Sequence, residues 1–234
     1  MAESSPRSPL SPAVEDFLKA VYDVGRAEPA GTTALAEALS ISAASVTAMA
    51  KRLAEAGLLD HVPYRGVALT EAGRLVAVET IRHHRLVETY LHQALGIPWD
   101  RVHDEAERWE HVISEEAEAR MDEALGFPTH DPHGAPIPTA SLEHDVPGGP
   151  RLAGLGAGAR GVVAEVDDDD PALLRYVGSL GLYPGTAFEV AEAAPYQGGP
   201  VTVRVLSGEA SGTTAAVGER AAQSIRVEVD SDES

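Results

Sequence analysis

Apolar residues recur at helical spacing through the first half of the chain and at shorter, alternating spacing in its last third, which predicts two kinds of structure. Val14, Phe17, Leu18, Val21 and Tyr22 share one face of a helix opened by Pro12 and ended at Gly25. Thr32 or Thr33 is placed to cap a short second helix over 34–39. After Ser40-Ile41-Ser42 a third helix is predicted over 43–56, capped by Ser42 and stopped by Gly57. Two short β segments follow, 58–62 and 67–69, joined at Tyr64-Arg65-Gly66. Thr70 then caps a long helix ending near Gly96, and a single helix is predicted from Pro98 or Trp99 to about Leu125.

From Phe127 to Pro150 the pattern dissolves into PTHDPHGAPIPTASLEHDVPGGP, dense in Pro and Gly, which reads as a linker with little regular structure. Beyond it, short apolar segments at 161–166, 187–192, 201–206 and 225–229, with one short helix over 172–180, predict a small β-rich barrel domain. Gly156-Ala157-Gly158-Ala159-Arg160-Gly161 fits GxGxxG literally, but it precedes a strand and opens no helix, so no dinucleotide site is expected there. The fold class expected is mainly α with a β-rich C-terminal domain. Four regions follow: 1–75, 76–127, a Pro-rich linker at 128–150, and 151–234. The arm up to about residue 11 is expected to be disordered, and it lacks the apolar core of a secretory signal. No internal repeat is evident, and no run approaches the roughly 20 apolar residues of a membrane span.

Composition sharpens this outline. The absence of cysteine excludes disulfides, thiolate nucleophiles and Cys-based metal sites, and fits a reducing cytoplasm. The net charge of −19 argues at first against a nucleic-acid partner. Along the chain, however, residues 1–75 carry 7 Lys and Arg against 9 Asp and Glu, while 76–127 carry 5 against 12 and 128–234 carry 6 against 16. The nearly neutral first third is free to meet a polyanion, and the acid lies elsewhere.

A short helix, a tight turn, a second helix and a β-hairpin make the plan of a winged helix-turn-helix. Its reading face would carry Ser42, Ala44, Ser45, Thr47 and Ala48, with hydroxyls for phosphates or base edges and methyls for thymine. Lys51 on the same helix and Arg65 at the hairpin tip are placed to meet phosphate. The spacing alone also fits a helical hairpin that merely packs on its neighbours.

Five of the nine histidines fall between residues 83 and 111, beside the acidic excess. On a single helix after Pro98, His103, Glu107, Glu110 and His111 would fall within an arc of roughly 100°. His84 and Glu88 are spaced i, i+4 on the preceding helix, and Asp16 stands among the apolar positions of the first. Each pair alone is commonly a solvated surface feature, and Asp167 to Asp170 read first as a solvated charge cluster. Together, however, converging acids repel one another unless a cation is present. Carboxylate and imidazole without sulfur favour Mn(II) or Fe(II), with selectivity left to geometry.

The segments VEDFLKAVYDV, ALSISAASVTAMAKRLAEAGLL, YRGVALT, RHHRLVETYL and VHDEAERWEHVISEE resemble the diphtheria-toxin-repressor family of metal-dependent transcriptional regulators, closely over about residues 12–127. The resemblance implies a winged helix-turn-helix domain, a helical dimerisation and metal-binding domain, and an SH3-like domain after the linker. Iron-responsive members carry methionine and cysteine where this chain has Asp16 and Glu107, and manganese-responsive members carry acids, so the chain looks manganese-dependent. The resemblance assigns one ion to Asp16, Glu107, Glu110 and His111, and a second to His84, Glu88 and His103, completed by Glu165 and Asp168 on a short alignment. Lys19 stands where some manganese-responsive members have a further glutamate ligand. The implied protein is a cytoplasmic homodimer, not an enzyme, that binds operator double-stranded DNA. It takes up to two Mn(II) per subunit, with Fe(II) or Co(II) as alternatives. The rival readings are an iron regulator of the same family, a winged-helix regulator of a non-metal signal, and a metallohydrolase, for which no nucleophile or phosphate loop is present.

Overall fold

The computed structural model describes residues 10–144, 148–194, 196 and 198–230. Most of the N-terminal arm expected to be disordered lies outside them. The chain divides into two compact units, one of residues 1–83, 110–112 and 138–144, the other of 84–109, 113–137 and 145–234.

In the first unit, α1 (Pro12–Val24) begins with Pro12 in its first turn and buries Val14, Phe17, Leu18 and Val21 along one stripe. Helix α2 (Thr32–Ala38) starts two residues earlier than predicted. Its N-cap is Gly31 with no side-chain hydrogen bond, so neither threonine caps it. Helix α3 (Ala43–Glu55) is capped as expected, the Ser42 hydroxyl accepting from the Ser45 amide at 3.1 Å. The chain turns through 106° from α2 to α3, within the range typical of helix-turn-helix motifs. Strands β1 (Leu59–Val62) and β2 (Gly66–Leu69) form the antiparallel wing. Gly66 closes its turn at φ +118°, where a Cβ would stand 2.0 Å from the Ala30 carbonyl oxygen. Phe17, Leu18, Leu35, Val46, Leu53, Leu59 and Val67 share one core, so α1 and the recognition hairpin are packed together.

Helix α4 (Glu71–Gln93) follows, with the Thr70 hydroxyl accepting from the Gly73 amide. The next helix corrects an expectation. Instead of one helix to Leu125 there are two, α5 (Val102–Trp109) and α6 (Glu115–Ala124). Ser114 is extended and accepts from the Ala117 amide, and Glu115, Glu116 and Glu118 fill the first turn, a strong start signal for α6. Glu110 and His111 therefore lie beyond α5, and the shared helical arc of four ligands does not exist.

In the second unit, β3 (Arg160–Val166), β4 (Ala187–Ala193), β5 (Val201–Val205), β6 (Thr214–Val217) and β7 (Ile225–Val229) form one antiparallel sheet in the order β6-β5-β4-β3-β7. No β6–β7 pairing that would close a barrel is present among the described residues. Helix α7 (Pro171–Ser179) has Pro171 in its first turn and Asp170 as its cap. Helix α8 (Glu219–Ser224) and β6 were absent from the predicted pattern, since TTAAV and ERAAQS offer few large apolar positions. Trp99, Leu174, Val177, Phe188, Val203 and Val227 share this unit's core.

The Pro-rich segment also differs from a free linker. Asp131, His133, Gly134, Ala135, Ile137 and Pro138 are all buried, so the segment is packed into the fold. Asp131 Oδ1 accepts from the amides of His133 and Ala135, at 2.8 and 3.0 Å, closing a tight loop. Arg85 donates to the Pro136 carbonyl, and the Val166 amide donates to the His133 carbonyl, tying this loop to α4 and β3. Gly134 sits at φ +90°, and a Cβ there would stand 2.0 Å from the Ala164 carbonyl oxygen. Gly134→Ala is therefore expected to destabilise the fold by about 2 kcal/mol or more, read as a lower urea midpoint by circular dichroism. An unchanged midpoint would contradict this packing.

Candidate metal centres and DNA-facing surface

Two sets of donor atoms converge, one within each unit. In the first unit, Asp16, Glu110 and His111 each present one ligand atom, all within 4.8 Å of one another. Asp16 comes from α1, while Glu110 and His111 come from the turn after α5. His111 Nε2 lies 2.9 Å from Asp16 Oδ1 and 3.4 Å from Glu110 Oε1. On the other edge of the ring, His111 Nδ1 lies 2.6 Å from Glu15 Oε2. A carboxylate bound to one ring nitrogen fixes the tautomer and directs the lone pair of the other. Glu15 thus orients Nε2 toward the two acids, a role the sequence reading missed because Glu15 looked like an ordinary first-turn acid.

The second unit holds a larger cluster. His84 and Glu88 project from α4, His103 from α5, and Asp168 follows β3. His103 Nδ1 lies 3.1 Å from His84 Nε2, 3.3 Å from Glu88 Oε1 and 3.5 Å from Asp168 Oδ2. Asp168 therefore joins the histidines as expected of it, and Glu165 does not: its Oε2 accepts from Arg226 Nε at 3.0 Å. Glu107 Oε1 lies 3.8 Å from His84 Nδ1 and 3.9 Å from His103 Nε2, one turn along α5.

Asp131 and His133, both on the supposed linker, extend this cluster. With Glu88 they form a wholly buried donor triad. His133 Nε2 donates to the Trp99 carbonyl at 2.7 Å, leaving Nδ1 as the inward nitrogen. That Nδ1 lies 3.7 Å from Glu88 Oε2 and 3.6 Å from Asp168 Oδ2. Glu88 Oε2, Asp131 Oδ2 and His133 Nδ1 are buried with no hydrogen-bond partner among the described residues. Buried polar atoms are rarely left without a hydrogen bond, and these donors, within 4.8 Å of one another and with Arg85 Nε 3.7 Å from Asp131 Oδ2, form a set that could hold a cation. No local period in Asp-Pro-His-Gly-Ala-Pro-Ile announces them, because Pro132, Gly134 and Pro136 interrupt the segment.

The electrostatics agree. Burial pushes Asp131 up to about 7, reinforced by the Glu88 charge. Burial opposes the charge of His103 and His133, yet the surrounding carboxylates, Asp168 and Glu88 at His103 and Glu88 foremost at His133, raise them to about 11 and about 9. Glu88 is fully buried, but the imidazoles of His84, His103 and His133 hold it well below the usual carboxylate range. Without metal the cluster keeps protons where a cation would sit.

On the DNA-binding candidate, Ser42, Ala44, Ser45, Thr47, Ala48, Lys51 and Arg65 are all exposed. Thr47 Oγ1 donates to the Ala43 carbonyl at 2.8 Å, and the hydroxyls of Ser42 and Ser45 are 2.9 Å apart. Arg65 at the wing tip lies 3.3 Å from Glu28, and Tyr64 beside it is fully exposed at φ +64°. Among the described residues no single helix is long and apolar enough to cross a membrane.

Residues 9–67 match the domain family described as the iron dependent repressor N-terminal DNA binding domain, and residues 70–139 its metal binding and dimerisation domain. Residues 151–229 match the FeoA domain. Iron-dependent repressor IdeR of Mycobacterium tuberculosis is 41% identical over 133 residues, 55% of this chain and 56% of the relative. The diphtheria toxin repressor of Corynebacterium diphtheriae is 36% identical over 133 residues, 55% of this chain and 58% of that protein. The matched region thus spans about half the length of these curated relatives. A solved manganese-dependent transcriptional repressor in complex with manganese superposes with a TM-score of 0.83 at 38% identity, covering 92% of this chain and 98% of its own. A solved manganese regulator, SloR, superposes at 0.75 with 29% identity, covering 94% of this chain and all of its own. Three domain matches in succession and this coverage establish that the chain belongs to the iron-dependent repressor family, the metal-dependent transcriptional repressors that include the diphtheria toxin repressor.

Proposed function

We propose that this protein is a manganese-responsive transcriptional repressor that binds operator double-stranded DNA as a homodimer when metal is bound. The observation that carries the reading is the set of three buried donor atoms of Glu88, Asp131 and His133 that make no hydrogen bond among the described residues, lying beside the cluster of His84, His103 and Asp168. Asp16, Glu110 and His111 are assigned to a second ion, and the family resemblance adds Glu107 to that set. Every donor is a carboxylate or an imidazole, a hard set suited to Mn(II), with Fe(II) or Co(II) as the alternatives. The iron-dependent relatives favour the iron alternative, and the manganese-dependent solved structures favour manganese.

A bound divalent ion supplies the positive charge that lets these acids stay ionised side by side. Asp16 lies on α1, whose buried face shares a core with α2 and α3. Holding Asp16 to Glu110 and His111 therefore restrains the helix on which the reading helix packs, and DNA affinity follows site occupancy. Passing from mostly inactive to mostly active takes about 5 kcal/mol of differential metal binding, within reach of two ions. The near-neutral charge of residues 1–75 leaves Lys51 and Arg65 to meet phosphate, and binding is expected to weaken as salt rises.

Asp16→Ala is expected to abolish Mn(II)-stimulated operator binding, read by fluorescence anisotropy, while leaving the circular dichroism spectrum intact. A normal Mn(II) response in that variant would defeat the reading. Glu107→Cys is expected to shift the stimulation toward Fe(II) or Co(II), and an unchanged metal profile would count against manganese selectivity. Because ligands must shed their protons to bind metal, Mn(II) affinity is expected to rise between about pH 6 and 8 with release of protons. The sign follows from Asp131, His103 and His133, whose raised values keep protons on the metal-free cluster. Calorimetry in buffers of different ionisation enthalpy measures the release, and a pH-independent affinity without it would contradict the assignment.

A further inference from the structure

Lys19 lies one turn beyond Asp16 on α1. Its ammonium lies 3.2 Å from Glu110 Oε1 and 3.1 Å from Glu110 Oε2, contacting both oxygens of the carboxylate. The Lys19 side chain is 19% exposed and that of Glu110 0%, so solvent screens this pair little. We propose that Lys19 is a built-in competitor for the metal at Glu110, an internal cation that sets how much metal the Asp16–Glu110–His111 site needs before it fills. This rests on the assignment of those three residues to a metal ion.

The argument is one of charge and place. A buried carboxylate needs a counter-charge, and in this geometry the ammonium supplies it. A divalent ion shared with Asp16 and His111 must approach Glu110 within bonding distance of an oxygen that already contacts Lys19 Nζ. The two cations repel at that range, so either the ammonium withdraws or the metal binds against its field. Both routes weaken binding at this site. At the other cluster the cationic side chain is Arg85, whose Nε lies 3.7 Å from Asp131 Oδ2, a looser pairing than that of Lys19 with both oxygens of Glu110. The two sites are therefore expected to fill at different metal concentrations, the one on α1 last, which places the step that bears on DNA binding at the higher threshold.

The test is Mn(II) titration calorimetry on the full chain with Lys19→Met, Lys19→Arg, Asp16→Asn and the Lys19→Met/Asp16→Asn double variant. Lys19→Met, which keeps the length and removes the charge, is expected to tighten the weaker Mn(II) site by about tenfold or more. Lys19→Arg should keep the weak affinity, and the gain should vanish in the double variant. Thermal melting separates a merely structural role. Metal-free Lys19→Met should melt below the wild type because Glu110 loses its partner, and saturating Mn(II) should close or reverse that gap. An unchanged or weaker affinity in Lys19→Met, or an equal loss of stability with and without Mn(II), would overturn the proposal. If the wild type shows no Mn(II) binding that depends on Asp16, the site assignment itself fails and the proposal falls with it. The Asp16→Asn control distinguishes that outcome from a failure of Lys19 alone.

Discussion

The burial of Glu88 is the constraint on which the second unit depends. A carboxylate with no solvent access must be held by cations or hydrogen bonds, and here three imidazoles converge on it. Those imidazoles come from α4, α5 and the loop after α6, while the loop between β3 and α7 contributes Asp168. The fold of this unit is therefore organised around one electrostatic problem as well as an apolar core. Each arm of the cluster lies on a separate stretch of chain, so the elements are secured together wherever the charge is balanced.

Much of this was legible in the sequence where a side chain's role follows from local spacing. The stripe Val14, Phe17, Leu18 and Val21, the Ser42 cap, the wing with its Gly66 turn and the pair His84–Glu88 all follow from rules that reach three or four residues. Asp168 was reached through family likeness on a short alignment, and the same alignment pointed to Glu165, which Arg226 holds instead. The break after Trp109 was missed because the apolar period continues across it, while the decisive signal was Ser114 followed by acids. Asp131 and His133 were missed for a different reason. Proline and glycine density marks where regular hydrogen bonding stops, and it does not report whether a segment is buried.

The distribution of charge makes sense in the same terms. The excess of acid sits mostly outside the DNA-facing third, and part of it forms the two donor sets. Of these acids Glu88, Glu110, Glu118 and Asp131 are buried, and histidine and lysine lie against Glu88 and Glu110. Exposed hydroxyls and small side chains on α3 leave the reading surface nearly neutral.

Asp131 has a further consequence through the way its two oxygens divide their work. One is fastened by the amides of His133 and Ala135, and the other faces the cluster. A carboxylate anchored to its own backbone cannot swing to follow an ion, unlike one at the end of a free side chain. His133 is fastened in the same way through the Trp99 carbonyl. Two arms held this way give the cluster a fixed span, so under the proposed metal assignment it would select by ionic radius as well as by charge. On that assignment, discrimination between cations of similar chemistry would reside in the stiffness of a loop that bears no regular secondary structure.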